Sequence, residues 1–235
     1  MDTLVLRVLQ DVAEPERAWV ATRDGLWVVD GLEDATLAVP VDFSLRHLGQ
    51  REDGELLLVG FDGPEPMGLL GEQRITLPAE TGRIEVLSAD DQGRFYVRFP
   101  AGATDRLVRV SEAGAEVLIP RTDLIRDVAA VDGDLYVLYR DGVSWSADDG
   151  ATWAPRGGEA ITCLRPTPDG FYACPPAGAP AALLYTPTLD VDPISWTWES
   201  ALDFAEVTQS SCQAGSTARL VCPYIWDVVA EELGV

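Results

Sequence analysis

The stretch "SADDGATW", residues 146–153, holds two adjacent aspartates, a glycine and a Thr-Trp pair. Three readings compete for it. A calcium loop would need further oxygen ligands at alternating positions and a closing glutamate, and "DDG" offers neither. A catalytic acid pair would need converging carboxyls, whereas Asp148 and Asp149 are chain neighbours that diverge on a hairpin. A turn needs only what is here. A carboxylate at 148 can accept backbone N–H groups two residues on. Gly150 can adopt a positive φ without steric cost, and Trp153 can pack its indole over the hairpin or between sheets. A structural turn in a repeating fold should also recur.

It recurs in weakened copies. "VSEAGAEV" (110–117) keeps Gly114 and puts Glu112 in place of the aspartate, and "LGEQRITL" (70–77) keeps Thr76 only. The period is wider than the box. Gly54, Gly93, Gly133 and Gly170 each follow acidic or small polar residues, at spacings of 39, 40 and 37. Gly25, Gly63, Gly102, Gly142 and Gly178 form a second series, spaced by 38, 39, 40 and 36. Thr36-Leu37, Thr76-Leu77, Glu116-Val117 and Thr152-Trp153 form a third. Between the markers lie "LLLV", "FYVRF", "LYVLY" and "FYAC", with the β-branched and aromatic content of strands bounded by hairpin turns. Each unit therefore predicts four antiparallel strands, A to D. The first glycine closes A–B, the second closes B–C, and the Thr-hydrophobic pair opens D. Four-stranded units of about 40 residues read as β-propeller blades. The expectation is an all-β chain: a β-propeller of about five four-stranded antiparallel blades over 3–204 (blades 3–40, 41–80, 81–120, 121–158 and 159–204). A Cys-containing tail with a short helix, 205–235, would pack on it. A β-sandwich with hairpins at similar spacing is the alternative, but a sandwich does not require one register in every unit.

Ser146, Asp148, Gly150, Thr152 and Trp153 match S-x-D-x-G-x-T-W, and the chain thereby resembles the Asp-box (BNR repeat) β-propellers. These include sialidases, Vps10-type receptor domains and photosystem II assembly factors. The resemblance implies that the box is structural and sits on the face away from a ligand site. "ITCLRPTPDGFYAC" (161–174) and "CQAGSTARLVCPYIWDVVAEELGV" (212–235) are similar to segments of uncharacterised secreted propeller proteins of myxobacteria. Those relatives are longer and carry a signal peptide and more N-terminal blades.

Composition narrows the partners. The 235 residues carry a formal net charge of −22, and all 17 basic residues are arginine. So acidic a chain disfavours nucleic acid and anionic membranes and stays soluble by self-repulsion, which suits a monomer. No run of about 18 apolar residues suggests membrane insertion, and the N-terminal "MDTLVLRVLQDVAEPER" has no signal-peptide pattern. The four cysteines fall in two close pairs without C-x-x-C spacing. In "CLRPTPDGFYAC" a turn at 167–170 places Cys163 directly opposite Cys174, about 4.5 Å away if the pair is non-hydrogen-bonded. Cys212 and Cys222 would close a second loop, before a helix with Trp226, Val229 and Leu233 on one face. Two disulfides imply an extracytoplasmic setting, secreted or periplasmic; free thiols in a cytosolic protein are the alternative.

Candidate chemistry is thin. A sialidase resemblance would require three converging arginines and a Tyr/Glu pair, and "LIPRTD" (118–123) has the arginine-motif letters in the wrong order. No nucleophile elbow is present, and the single histidine, His47, reads as a strand A residue near the central channel. Asp190 and Asp192 could hold a cation but read as solvated, so no metal or cofactor is expected. What remains is a recognition face of B–C hairpins and D-to-A linkers. It would carry Arg23, Asp24, Asp42, Phe61, Asp62, Asp105, Arg121, Asp123, Arg140 and Asp141. The expectation is a non-catalytic binding module for a protein or glycan, with a degenerate sialidase-type glycoside hydrolase as the alternative.

Overall fold

The structure is a computed structural model. It describes residues 5–23, 25–30, 34–79, 83–131, 133–158, 161–167, 170–176, 181–187 and 196–203. All regular structure among them is β. The first sheet runs β1 (Val5–Gln10), β2 (Arg17–Thr22), β3 (Gly25–Asp30), β4 (Asp34–Pro40), and the second β5 (Ser44–Gln50), β6 (Leu56–Asp62), β7 (Glu65–Leu70), β8 (Gln73–Thr76). The third holds β9 (Glu85–Ala89), β10 (Phe95–Ala101), β11 (Thr104–Ser111) and β12 (Gly114–Thr122). The fourth has three strands, β13 (Ile125–Val131), β14 (Asp134–Tyr139) and β15 (Gly142–Ser146). The fifth holds β16 (Cys163–Thr167), β17 (Gly170–Cys174), β18 (Ala181–Thr186) and β19 (Glu199–Asp203). Each sheet is an antiparallel meander in chain order, and five such sheets fit a β-propeller. Two compact units carry them, Met1–Asp132 and Gly133–Val235.

Within the first unit the sheets stack through two apolar layers. Leu6, Leu9, Trp19, Ala21 and Leu26 of the first sheet meet Leu45, Leu48, Leu58 and Leu69 of the second. Leu57, Val59, Leu70 and Ile75, on the opposite side of the second sheet, meet Val86, Phe95, Val97, Val108 and Val110 of the third. A sheet buried on both sides needs apolar residues without alternation. "LLLVG" of β6 is such a run, with Leu57, Leu58 and Val59 all at or near zero exposure. In the second unit Tyr136, Phe171 and Trp196 form the aromatic core, with centroids 4.8–5.4 Å apart.

Glycines punctuate the hairpins as the period predicts. Gly54, Gly93 and Gly133 lie in A–B turns at φ 89°, 83° and 90°, a region that β-carbon sterics make costly for other residues. The third marker series behaves differently. Thr36-Leu37 and Glu116-Val117 lie inside β4 and β12, Thr76 ends β8, and Thr152-Trp153 lies outside any strand. The pair therefore does not open strand D. In the fourth sheet strand D is replaced by a loop, held to β15 by the Val143–Gly157 bridge and by Ala154 N–H donating to Trp145 O at 2.7 Å. The tail, with Cys212, Cys222 and the expected helix, lies outside the described residues, as do Asp24, Asp190 and Asp192.

Candidate functional site

The box closes as a hydrogen-bonded knot. Ser146, the last residue of β15, is 2% exposed. Its hydroxyl donates to Asp148 Oδ1 (2.9 Å) and accepts from Gly150 N–H (2.8 Å). Asp148 Oδ1 also accepts Thr152 N–H at 2.7 Å, and Oδ2 accepts the Thr152 hydroxyl at 2.6 Å. The carboxylate thus reaches four residues on, not two. Thr152's hydroxyl, then its N–H, then Ser146 hold the Asp148 carboxyl below its usual range. Asp149 and Gly150 take φ of 59° and 88° to let the chain turn, and Trp153 is half-buried beside them. Both carboxylate oxygens of Asp148 are occupied by the turn, which leaves it as a brace.

Other turn acids do the same work. Asp90 accepts Gln92 N–H, Arg94 N–H, the Arg94 guanidinium (2.6 Å) and the Tyr96 hydroxyl (2.8 Å). Burial and Asp90 push the Tyr96 phenol up. Asp11 accepts Ala13 N–H at 2.9 Å, at the matching A–B turn of the first sheet.

The expected recognition face is only partly a surface. Arg23, Asp62, Asp123 and Arg140 are exposed. Asp42 is exposed and pairs with Arg74, and Asp141 pairs with Arg156 at 3.1 Å while that guanidinium stacks 3.6 Å over the Tyr139 ring. Phe61 is half-buried against the core layer. Asp105 is a correction: it is fully buried. It sits between β10 and β12, paired with Pro100 and Thr122, and its Oδ2 accepts Ile125 N–H at 2.6 Å. Burial raises its pKa, so it ties a linker down and presents nothing outward. Arg121 is placed in β12, and its side chain lies outside the described residues.

Sequence reasoning missed a polar cluster on the inner strands of the first unit. His47 follows a bulge in β5, and Arg7 follows one in β1, forty residues earlier. Bulges re-aim side chains, and here they bring repeat-equivalent residues together. Arg7 lies 2.6 Å from His47 Nε2, and Val86 N–H donates to Nδ1 at 3.0 Å. Glu85 links Arg83 (2.8 Å) to Arg98, which also donates to Ile125 O and lies 3.8 Å from Asp105. Burial first, then Arg7, with Arg83 and Arg98 adding to it, lowers the His47 pKa to about 4, against a partial pull from Glu85. The ring is neutral at pH 7. Only the 39–40-residue period could have flagged this cluster, because its members are remote in sequence.

No family model matches the chain, and no curated protein matches it. Solved structures do. A functionally unknown protein from Desulfotomaculum acetoxidans is 9% identical with a TM-score of 0.52, over 84% of this chain and 69% of that one. Virginiamycin B lyase from Staphylococcus aureus is 10% identical with a TM-score of 0.51, over 83% and 73%. The extracellular domain of BT4673 from B. thetaiotaomicron, assigned to a one component system, is 16% identical with a TM-score of 0.50, over 80% and 30%. The chain thus spans under a third of that protein's length. The lyase and BT4673 are all-β and propeller-like, and at such identities the likeness shows the fold alone.

Proposed function

We propose that this chain is a non-catalytic, extracytoplasmic β-propeller module of the Asp-box type that binds a protein or a glycan. One observation carries the reading: the division of its polar groups. Asp90, Asp105 and Asp148 are bound up in backbone hydrogen bonds, while loop residues of both signs, Arg23, Asp62, Asp123 and Arg140, face solvent. The Cys163–Cys174 bridge supports an oxidising setting, and the BT4673 domain is a propeller-like neighbour from outside the cell. The sialidase-type alternative would draw on Arg7, Arg83 and Arg98, which gather near His47, but the Tyr96 hydroxyl is turned to Asp90.

A glycan array and a pull-down from envelope extract test the reading together with a fluorogenic sialoside assay. The expected result is a captured ligand, weakened about 10-fold or more by Arg23→Glu or Arg140→Glu, and no sialoside turnover. Turnover that disappears in Arg98→Ala would replace the binding reading with the hydrolase.

A further inference from the structure

The structure assigns an oxyanion seat to the inner strands of the first unit, where the His47 Nε2–H and the Arg7 guanidinium take a singly charged carboxylate or sulfate group between them. A surplus of donors points to it. Among the described residues two groups reach the ring nitrogens of His47. The Val86 N–H lies 3.0 Å from Nδ1, and one Arg7 guanidinium nitrogen lies 2.6 Å from Nε2 and 3.2 Å from Nδ1. Both groups are donors, and a neutral imidazole can accept at one nitrogen only. The Val86 amide is fixed in β9, in register with Val97 of β10, so Nδ1 accepts and Nε2 carries the proton. That proton then faces the guanidinium, donor against donor. An oxygen with lone pairs, set between them, satisfies both.

Charge selects the class of oxygen. The charged groups acting on the ring are Arg7, Glu85, Arg83 and Arg98, three positive and one negative. Glu85 is engaged by Arg83 and Arg98. Asp105, 3.8 Å from Arg98, is buried and accepts Ile125 N–H. The cluster therefore keeps a positive excess inside a chain that carries −22. The rest of the molecule repels a polyanion, so a single charge fits. This is not a three-arginine clamp, because Arg98 is committed to Glu85 and Ile125 O.

His47 and Arg7 are half-buried. Solutes can reach them, and partial burial strengthens charge-assisted hydrogen bonds. For a ligand of about four to six non-hydrogen atoms, Kd should be about 1–10 mM. The seat uses none of the loop residues Arg23, Asp62, Asp123 and Arg140, so it stands independently of the protein- or glycan-binding reading.

The single histidine of the full chain is its own probe. Nitrogen-15 NMR at pH 7 should show the Nε2–H tautomer. Titration with acetate and with methyl sulfate, at ionic strength held constant with chloride, should shift the His47 ring signals to saturation, and the tighter of the two names the preferred group. Methyl sulfate stays ionised in acid, and at saturation it should raise the His47 midpoint by about one pH unit. Arg7→Gln should weaken binding at least about 10-fold. Arg83→Gln, at a side chain 81% exposed whose loss spares the fold, should weaken it about 3-fold. Arg51→Gln, which removes an arginine paired with Asp53 and Glu55, should leave it unchanged. An Nδ1–H tautomer, no saturable shift with either anion, or binding indifferent to both Arg7→Gln and Arg83→Gln overturns the assignment.

Discussion

His47 shows what a single side chain costs and contributes. A neutral imidazole has one donor and one acceptor nitrogen, so of the Val86 N–H at Nδ1 and the Arg7 guanidinium at Nε2 only one can donate a hydrogen bond to it. Burial first, and then the three nearby arginines, disfavour the charged ring, so the folded pKa, about 4, lies below the ordinary 6.5. The unfolded chain then binds a proton more readily between pH 6.5 and 4. Stability is unaffected by this group above pH 6.5 and is lost as pH falls through that window, by up to about 3 kcal/mol. Urea titrations from pH 7 to 5 should show that slope, and His47→Gln should flatten it. An unchanged slope in the variant would mean that carboxylates, not His47, set the acid limb. Asp148 has the same sign in a lower pH window. Its lowered pKa stabilises the box at neutral pH, an effect lost only below its ordinary value of 3.8.

At the level of elements, the fifth sheet carries the bridge. Cys163 and Cys174 are direct register partners with Cα atoms 4.9 Å apart, near the short end of the disulfide range. Closing so short a loop restricts the unfolded chain, by about 2–3 kcal/mol on the loop-entropy argument. Cys163→Ser with Cys174→Ser should lower the melting midpoint and leave the first unit's hydrogen-exchange protection unchanged. Protection lost evenly across both units would show that the bridge supports more than its own hairpin. This pairing was legible because a hairpin turn fixes register. Strand D was not. An outer strand is exposed on one edge and often on both faces, so burial leaves little periodic mark: β8 is four residues with one buried position, Ile75. The inner cluster was hidden for another reason. Period predicts which strands are equivalent, but bulges at Leu6 and Arg46 decide which way Arg7 and His47 point. Asp105 reads as a loop acid from its place after the Gly102 turn, and only the flanking strands bury it.

Across the whole molecule the dominant long-range force is repulsion. Thirty-nine acidic residues against 17 basic ones give −22, a self-energy that salt screens within about 10 Å at 0.1 M. Raising sodium chloride from about 10 to 500 mM should raise the melting midpoint, even though surface pairs such as Asp141–Arg156 weaken. A midpoint that falls with salt would mean the local pairs outweigh the global charge. The same screening, however, removes what keeps copies apart, and an open sheet edge then becomes dangerous. Unpaired N–H and C=O groups on a terminal strand recruit strands from other molecules. In the fourth sheet that strand is β15, and the loop braced by Asp148 lies along it, taking up Trp145 O and both backbone groups of Val143. Pro155 within the loop has no N–H to offer in its turn. The knot that replaces strand D thus acts as a gatekeeper against templated aggregation, closing the edge with a segment that cannot itself be extended into a sheet.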